Sequence, residues 1–591
     1  MSLILLFTTL SIFGCVGKVS SFNVADIFKN SSVSRDKALF VVNGTDILLR
    51  GVSSNCYHCV EKTYGVMHDG CISQVVDTTY PWNYFVIKKD SLKEYAVCNG
   101  SYHFGEQGIY QLDVIDDQQE KFYCNQIKII KKPSFSNLPL IVLFAVLVSL
   151  IIVPKVGLLI YRFIYLKVTR HLSTPRPGYM SLDGNESSES SAPHSTVDYI
   201  NKPIKRNRVK SIDTFRGISI AVMIFVNYGG GGYYFFSHSS WNGLTVADLL
   251  FPWFIFIMGS SIYISMHSLR KKLSKRKMTV KIIYRSFKLL LLGLFLNNGF
   301  DLANWRLPGV LQRFAISYFV VALVFLWFDS PNEESETNSW KNMFRDVWFP
   351  FQHIVMLLLL TIYLLIIYLL NVPGCPKGYF GPGGDGDHGA YEKCTGGASG
   401  YVDRTVFGLN HIYKNPTCKS LYNCFTYDPE GLLGTIPSIL LTYLGLQAAR
   451  TLLFYKSKNG HIIRWFIWSV LLGALAVGLC GGTLNDGAIP INKNLWSLSY
   501  IFAMGSTAYL LLLICYVLVD VLKWWNGAPF YYAGMNSILL YCGHEIFENY
   551  FPFNFKNDDS HAQLTIRCSV GTGVWLIVSY VCYLQKIYLK L

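Results

Sequence analysis

The stretch RVKSIDTFRGISIAVMIFVNYGGGGYYFFSHSSWNGLTVADLLFPWFIFIMGSS, Arg208 to Ser261, decides how the chain is read. It holds two apolar runs, 211–228 and 245–268. A hydrocarbon core about 30 Å thick takes about 20 residues of helix, so each run is a candidate membrane span. The loop between them, 229–244, contains no Lys or Arg, whereas Leu269 to Lys281 contains seven. Basic residues retained on one side and excluded from the other orient spans in a membrane.

The same pattern extends in both directions. Nine further apolar runs lie at 137–163, 281–297, 309–328, 350–371, 431–455, 462–480, 495–519, 528–547 and 564–585, making about eleven transmembrane helices. The composition agrees: 51% of residues are hydrophobic and 15% charged, against roughly 25% charged in soluble proteins. Residues 163–210 hold eight Lys/Arg, while the loops 298–308, 481–494 and 551–563 hold one each, Arg306, Lys493 and Lys556. The positive-inside rule then places the N-terminal region and the loop 229–244 in a lumen, with Lys586 and Lys590 in the cytosol. The net charge of +15 is accounted for by these anchors, and no nucleic-acid partner is inferred from it.

Residues 1–21 read as a signal peptide. Residues 22–136 read as a β-sandwich-like luminal domain: Ala38–Val42, the pair Asn43-Gly44 and Ile47–Leu49 give a hairpin signal, and Tyr84–Ile87 resembles a strand. Asn30, Asn43 and Asn99 open glycosylation sequons. Cys56, Cys59, Cys71, Cys98 and Cys124 make an odd set, so one thiol is free or pairs elsewhere. The Cys56-x-x-Cys59 pair is read as a structural disulfide, because no second CxxC or His cluster accompanies it, and no metal site is expected. After a first span at 137–163, residues 164–210 read as a flexible cytosolic linker, followed by a ten-helix domain at 211–591. Within it, the glycine-rich loop 372–428, with Cys375, Cys394, Cys418 and Cys424, reads as a disulfide-held luminal cap.

Candidate chemistry gathers at the two membrane faces. His238 lies between the run Gly229–Gly232 and an apolar helix, flanked by Tyr233, Tyr234, Phe235, Phe236 and Trp241, which are expected to wall it off from water. Asn227, Trp241 and Asn242 are near it in sequence, and Asp248 is an ionisable group inside an apolar run, a functional position by default. Arg313 and the cluster His544, Glu545 and Glu548 follow the same logic. On the cytosolic face, Asp213 and Arg216 are spaced to pair on one helix. Lys281, Arg285 and Lys288 recur at helical spacing; with Arg216 they are suited to the phosphates of a nucleotide-bearing ligand.

These motifs resemble the heparan-alpha-glucosaminide N-acetyltransferase family. The likeness is carried by SIDTFRG (211–217), FVNYGGG (225–231), His238 to Asp248, FPWFIFIMGSSI (251–262), PGVLQR (308–313), VPGCPKGYFGPGG (372–384), DPEGLLGTI (428–436), INKNLWSLSY (491–500) and AGMNSILLYCGHEIFENYFPF (533–553). At Ala533 proline is expected. The resemblance implies a homodimeric lysosomal membrane enzyme that takes acetyl-CoA from the cytosol and acetylates the terminal glucosamine amine of heparan sulfate in the lumen. It implies His238 as the active-site histidine, Asn227 as its neighbour, and Cys375 as a candidate cross-link between protomers. His238 would act as base or acetyl carrier, with Asn227 and glycine-run N–H groups as oxyanion donors. The competing readings are a solute transporter or channel, and a membrane acyltransferase for another sugar. Against transport stand the absence of a clear inverted repeat and the glycine-rich cap.

Overall fold

The computed structural model describes residues 33–89, 94–117, 121–172, 208–329, 347 and 349–589. The expected signal peptide, Asn30, and residues 173–207 of the expected linker lie outside the described residues.

The N-terminal domain is a seven-stranded sheet of β1 (Lys37–Ser53), β2 (Lys62–Asp77), β3 (Trp82–Lys89), β4 (Glu94–Tyr102), β5 (Ile109–Asp117), β6 (Lys121–Cys124) and β7 (Lys128–Lys131). The expected hairpin at Asn43-Gly44 does not form; β1 runs straight through it. The amide of Asn43 donates to Asp113 Oδ1 at 2.8 Å. Gly44 lies opposite Gly70 of β2, and a Cβ there would sit 3.2 Å from both Ile47 and Val114. The glycine therefore permits close packing instead of a turn. Here the sheet branches: β1 pairs in parallel with β5 over 39–43 and antiparallel with β3 over 47–53. Its core is aromatic, with Phe40, Trp82, Phe104 and Tyr110 buried together. The turn that follows β1 instead carries the disulfide Cys56–Cys59, and Cys98–Cys124 joins β4 to β6. Cys71 is also disulfide-bonded, so the odd fifth cysteine is not a free thiol.

Helix α1 (Leu138–Leu172) belongs to a separate unit and continues past residue 163, where the linker was expected to begin. The other unit contains α2 (Lys210–Asn227), α3 (Val246–Arg270), α4 (Lys275–Asn297), α5 (Val310–Phe328), α6 (Pro350–Leu369), α7 (Gly397–Phe407), α8 (Leu432–Phe454), α9 (Lys458–Cys480), α10 (Leu498–Tyr516), α11 (Phe530–Met535), α12 (Ser537–Phe547) and α13 (His561–Leu584). Among the described residues, seven helices are long and apolar enough to cross a membrane: α3, α5, α6, α8, α9, α10 with its extension to Val521, and α13. Three of the four remaining expected spans differ for visible reasons. Helix α2 carries Lys210, Asp213 and Arg216, α4 begins with a basic turn, and the run at 528–547 is broken at Asn536 into α11 and α12. The break lets α11 lie directly on α2, where a Cβ on Gly217 would come within 1.7 Å of Phe530 O and one on Gly534 within 1.7 Å of Asp213 O. Small residues at such a crossing let the backbones touch.

The loop 372–428 folds as a compact cap containing α7 and held by Cys375–Cys394 and Cys418–Cys424. Cys375 is thus bonded within its own chain, which removes it as the proposed cross-link between protomers. The β-domain turn docks on the cap: Tyr422 Oη accepts from Tyr57 N at 3.2 Å and donates to Asn55 O at 3.1 Å.

Candidate active site

A cavity of about 510 Å³ runs inside the helical bundle. At one end its walls carry Arg216 of α2, Ser261 of α3 and Arg285 of α4; at the other they carry Asn227, His238, Glu430, Lys493 and Glu545. Between these lie apolar side chains such as Met223, Phe251, Phe254 and Leu289. Arg216, in the second turn, and Asn227, the last residue, lie on the same helix about 16 Å apart at 1.5 Å per residue. The cavity is therefore an apolar shaft with polar groups at both mouths.

His238 owes its position to the start of α3. Thr245 and Asp248 stand three residues apart, the spacing of a capping box. Asp248 Oδ2 accepts from Thr245 N at 3.2 Å, Thr245 Oγ1 at 2.9 Å and Ser239 N at 3.2 Å. That leaves Oδ1 for His238, whose Nδ1–H donates to it at 2.8 Å. Asp248 is wholly buried, while the His238 side chain is 39% exposed on the cavity. A carboxylate on Nδ1 fixes the tautomer and leaves Nε2 as the accepting nitrogen of the ring. Lys493 Nζ lies 2.9 Å from Nδ1 and 3.1 Å from Nε2, and 3.6 Å from Asp248 Oδ1.

The expected aromatic enclosure of His238 is absent. Tyr233 stacks on His561 at 4.2 Å, Tyr234 meets Tyr80 edge-on at 5.6 Å, and Phe236 meets Phe225 at 5.2 Å. These rings fasten the loop to its neighbours. Nor does the glycine run offer its N–H groups to the cavity. Gly231 adopts φ +68°, and a Cβ there would sit 2.5 Å from Thr565 Oγ1. The run exists so that the loop can lie against α13.

Asn227 faces the cavity with its amide group committed. Its Nδ2 lies 2.9 Å from His544 Nε2 and donates to Glu545 Oε1 at 3.4 Å; His544 Nε2 is itself 3.3 Å from Glu545 Oε1, and Nδ1 is 3.1 Å from Leu540 O. His544 is buried behind Asn227, whereas Glu545 reaches the cavity wall. Trp241 and Asn242 do not line the cavity. Trp241 Nε1 donates to Phe380 O of the cap at 2.8 Å, and its ring packs on Tyr427. Asn242 bridges Asn485 and Asn492 at 2.9 Å each, tying the loop to the segment that carries Lys493.

Arg313 is buried away from the cavity. Its Nη2 donates to Pro429 O and Gly431 O at 3.0 Å each, and its guanidinium lies 4.5 Å over Trp496. It thereby holds the backbone on either side of Glu430. Arg306 clamps Asp428 with donors at 2.8 and 2.7 Å and also pairs with Glu430. Burial acts to raise the Glu430 carboxyl, but the charges of Arg306, Lys493 and Arg313 overcome it and hold the group below its ordinary range.

At the opposite mouth, Arg216 pairs with Asp213 at 3.1 Å as its spacing implied, and also reaches Ser261 Oγ at 2.6 Å and Gly534 O at 3.2 Å. Arg285 lies over the Tyr318 ring at 4.6 Å with its Nε buried and without a partner. Lys281 is exposed and Lys288 sits over Tyr284, neither on the cavity wall. On the β-domain Asn99 is exposed, whereas Asn43 is engaged with Asp113.

Lys493 and Glu430 were missed as site residues in the sequence. Each lies just before an apolar run and not inside one, so the reasoning applied to Asp248 does not reach them. What was missing was any sign that two loops more than 180 residues downstream return to His238.

A sequence model described as heparan-alpha-glucosaminide N-acetyltransferase, catalytic, matches residues 208–332. The heparan-alpha-glucosaminide N-acetyltransferase of Mus musculus is 41% identical over 595 residues, covering 95% of this chain and 90% of that one. That of Homo sapiens is 40% identical over 597 residues, covering 95% and 89%. Identity of this order over 95% of the chain shows that it belongs to the heparan-alpha-glucosaminide N-acetyltransferase family.

Proposed function

We propose that this chain is a lysosomal transmembrane N-acetyltransferase that moves the acetyl group of cytosolic acetyl-CoA to the terminal glucosamine amine of heparan sulfate in the lumen. The observation that carries this reading is the single cavity with cationic groups at one mouth and the His238–Asp248 pair at the other. The distribution of basic loops supports the sidedness, with Arg216 and Arg285 toward the cytosol and His238 toward the lumen. The family resemblance alone supports a homodimer.

The donor set fits the donor substrate. Arg285, with an unpartnered buried Nε, and Arg216 are placed to meet phosphate oxygens, and the apolar shaft suits an extended acyl-carrying arm. At the far mouth, His238 Nε2 accepts the proton that the glucosamine amine sheds as its nitrogen attacks the thioester carbonyl. Asp248 is a positioning residue that keeps the proton on Nδ1. Lys493 supplies positive charge where the tetrahedral oxyanion develops and where the thiolate leaves. Glu430 and Glu545 give that mouth the negative charge that draws an ammonium.

The test supplies purified protein with labelled acetyl-CoA and glucosamine. Wild type is expected to transfer label to the amine, and His238→Ala is expected to lose the transfer by several orders of magnitude. Undiminished transfer by that variant would remove His238 from the reaction, and solute flux without transfer would point to a transporter.

A further inference from the structure

His561, at the start of α13, is the point where the His238 loop meets the β-domain. Its Nδ1 lies 2.9 Å from the carbonyl of Gly231, an oxygen that only accepts, so Nδ1 carries a proton. Its Nε2 faces two carboxylates of the β-domain, Asp36 Oδ1 at 3.1 Å and Glu106 Oε2 at 3.6 Å. The side chains of His561 and Glu106 are 5% and 8% exposed, so water is largely excluded. Without a further proton, a nitrogen lone pair and two carboxylates would point at one another in that dry space. At least one proton is therefore held among Nε2, Asp36 and Glu106, whichever of the three carries it. An imidazolium also suits its other neighbours. The Tyr233 ring stacks on it at 4.2 Å, and Nδ1–H becomes a charge-assisted donor to Gly231. Two more charged groups border the cluster: Arg35 reaches Asp36 Oδ2 at 3.3 Å and Asp559 Oδ1 at 3.0 Å. A metal ion in the gap would set a second fixed cation beside Arg35, which favours the proton.

We propose that His561, Asp36 and Glu106 are positioning residues that form a proton-dependent latch on the His238 loop, closed in an acidic lumen and loosened near neutral pH. This rests on the acetyl-transfer reading, in which this face is luminal. The proton joins the β-domain carboxylates to α13 and strengthens the bond from α13 to Gly231, seven residues before His238. A cluster that takes up a proton on docking contributes its stability at low pH and loses it as pH rises. Histidine exchanges its proton between about pH 5 and pH 8, which sets the window. The loop bearing the base is thereby held firmly only where the surrounding fluid is acidic.

The experiment follows hydrogen–deuterium exchange of the segment 229–237 in the full-length protein between about pH 5 and pH 8, each rate divided by that of the free peptide at the same pH. Wild type is expected to lose protection by about tenfold or more across that range. The double variant Asp36→Asn with Glu106→Gln, whose amides bring their own N–H groups to Nε2, should keep its acid-pH protection at the alkaline end. His561→Gln should also lose the pH dependence, at a lower level of protection. Wild-type protection that is flat with pH, or a slope that survives in the double variant, would overturn the proposal. Protection restored at the alkaline end by micromolar Zn2+ in wild type alone would overturn it in favour of a metal site. With acetyl-CoA and glucosamine, the double variant should exceed wild type severalfold in kcat at the alkaline end and match it at the acid end. Equal kcat at both ends would overturn the latch's part in the reaction. Wild-type protein that transfers no acetyl group would instead sink the acetyl-transfer reading, while the exchange profile judges the latch without it.

Discussion

Asp248→Asn is the sharpest perturbation of the site, because the structure says what the asparagine must do. Three donors, Ser239 N, Thr245 N and Thr245 Oγ1, converge on Oδ2 at 2.9 to 3.2 Å, and one, His238 Nδ1, meets Oδ1 at 2.8 Å. The asparagine oxygen satisfies the larger group, since otherwise three donors would face its NH2. Its NH2 then faces His238 Nδ1, which must give up its proton and become the acceptor. The proton moves to Nε2, and the nitrogen facing the cavity ceases to be a base. The comparable change in serine proteases lowers kcat about 10⁴-fold, which corresponds to roughly 5.5 kcal/mol of barrier. The fold loses less, because the four neutral donors and acceptors keep partners and only Lys493, 3.6 Å from Oδ1, loses its counter-charge; about 1–3 kcal/mol is expected for the lost charge. The assay is steady-state transfer of labelled acetyl to glucosamine, with a thermal melt alongside. A variant that melts within a few degrees of wild type yet transfers within tenfold of its rate would refute the orientation of His238 by Asp248.

Three further outcomes follow from the same geometry. Arg285→Ala should raise the KM for acetyl-CoA tenfold or more, as loss of charge-assisted hydrogen bonds worth about 1.5–3 kcal/mol requires, with the KM for glucosamine unmoved in the same titrations. In the cap, burial pushes the Asp403 carboxyl up to about 7 from its ordinary 3.8, against the pull of the Leu432 N–H. A carboxyl raised on folding adds stability that is complete below the unfolded value and lost as pH rises through the folded one. Melts should therefore be higher near pH 5 than near pH 8, and Asp403→Asn should flatten that slope. Replacing Cys375 and Cys394 by serine together opens a loop of 19 residues' separation and should cost about 3 kcal/mol; a non-reducing gel should show no dimer band that depends on Cys375.

What could be read from the sequence was what depends on local pattern. Apolar length locates the spans, and the i to i+3 spacing of Asp213 and Arg216 makes their pair. Residue type and position single out His238 and Asp248 separately; that they pair is set by the Thr245-x-x-Asp248 helix start seen in the structure. The failures share a different cause. Asn43-Gly44 has the residues of a tight turn, but its conformation is decided by Val114 and Gly70, which are remote in sequence. The aromatic residues 233–236 look like a wall around His238 because they adjoin it in the chain, yet their partners are Tyr80, Phe225 and His561. Lys281, Arg285 and Lys288 share a spacing, and only the packing of α4 shows that Arg285 alone among them turns inward.

The loop that carries His238 is held from four directions, one of them the β-domain, although that domain lines none of the cavity. His561 donates from Nδ1 to Gly231 O at 2.9 Å, while its Nε2 reaches Asp36 of the β-domain at 3.1 Å. Tyr234 rests on Tyr80 of the same domain. Trp241 fastens the loop to the cap, and Asn242 fastens it to the segment bearing Lys493. Asp248 secures its last turn to α3 with the same carboxylate that orients His238. Helix entry and histidine position are therefore one constraint, since nothing can shift the cap box without shifting the base. A site within ångströms of productive geometry needs such over-determination. The supports come from the β-domain, the cap, α3 and the 485–494 segment together. The β-domain is in this sense part of the scaffold that holds the cavity's His238 loop.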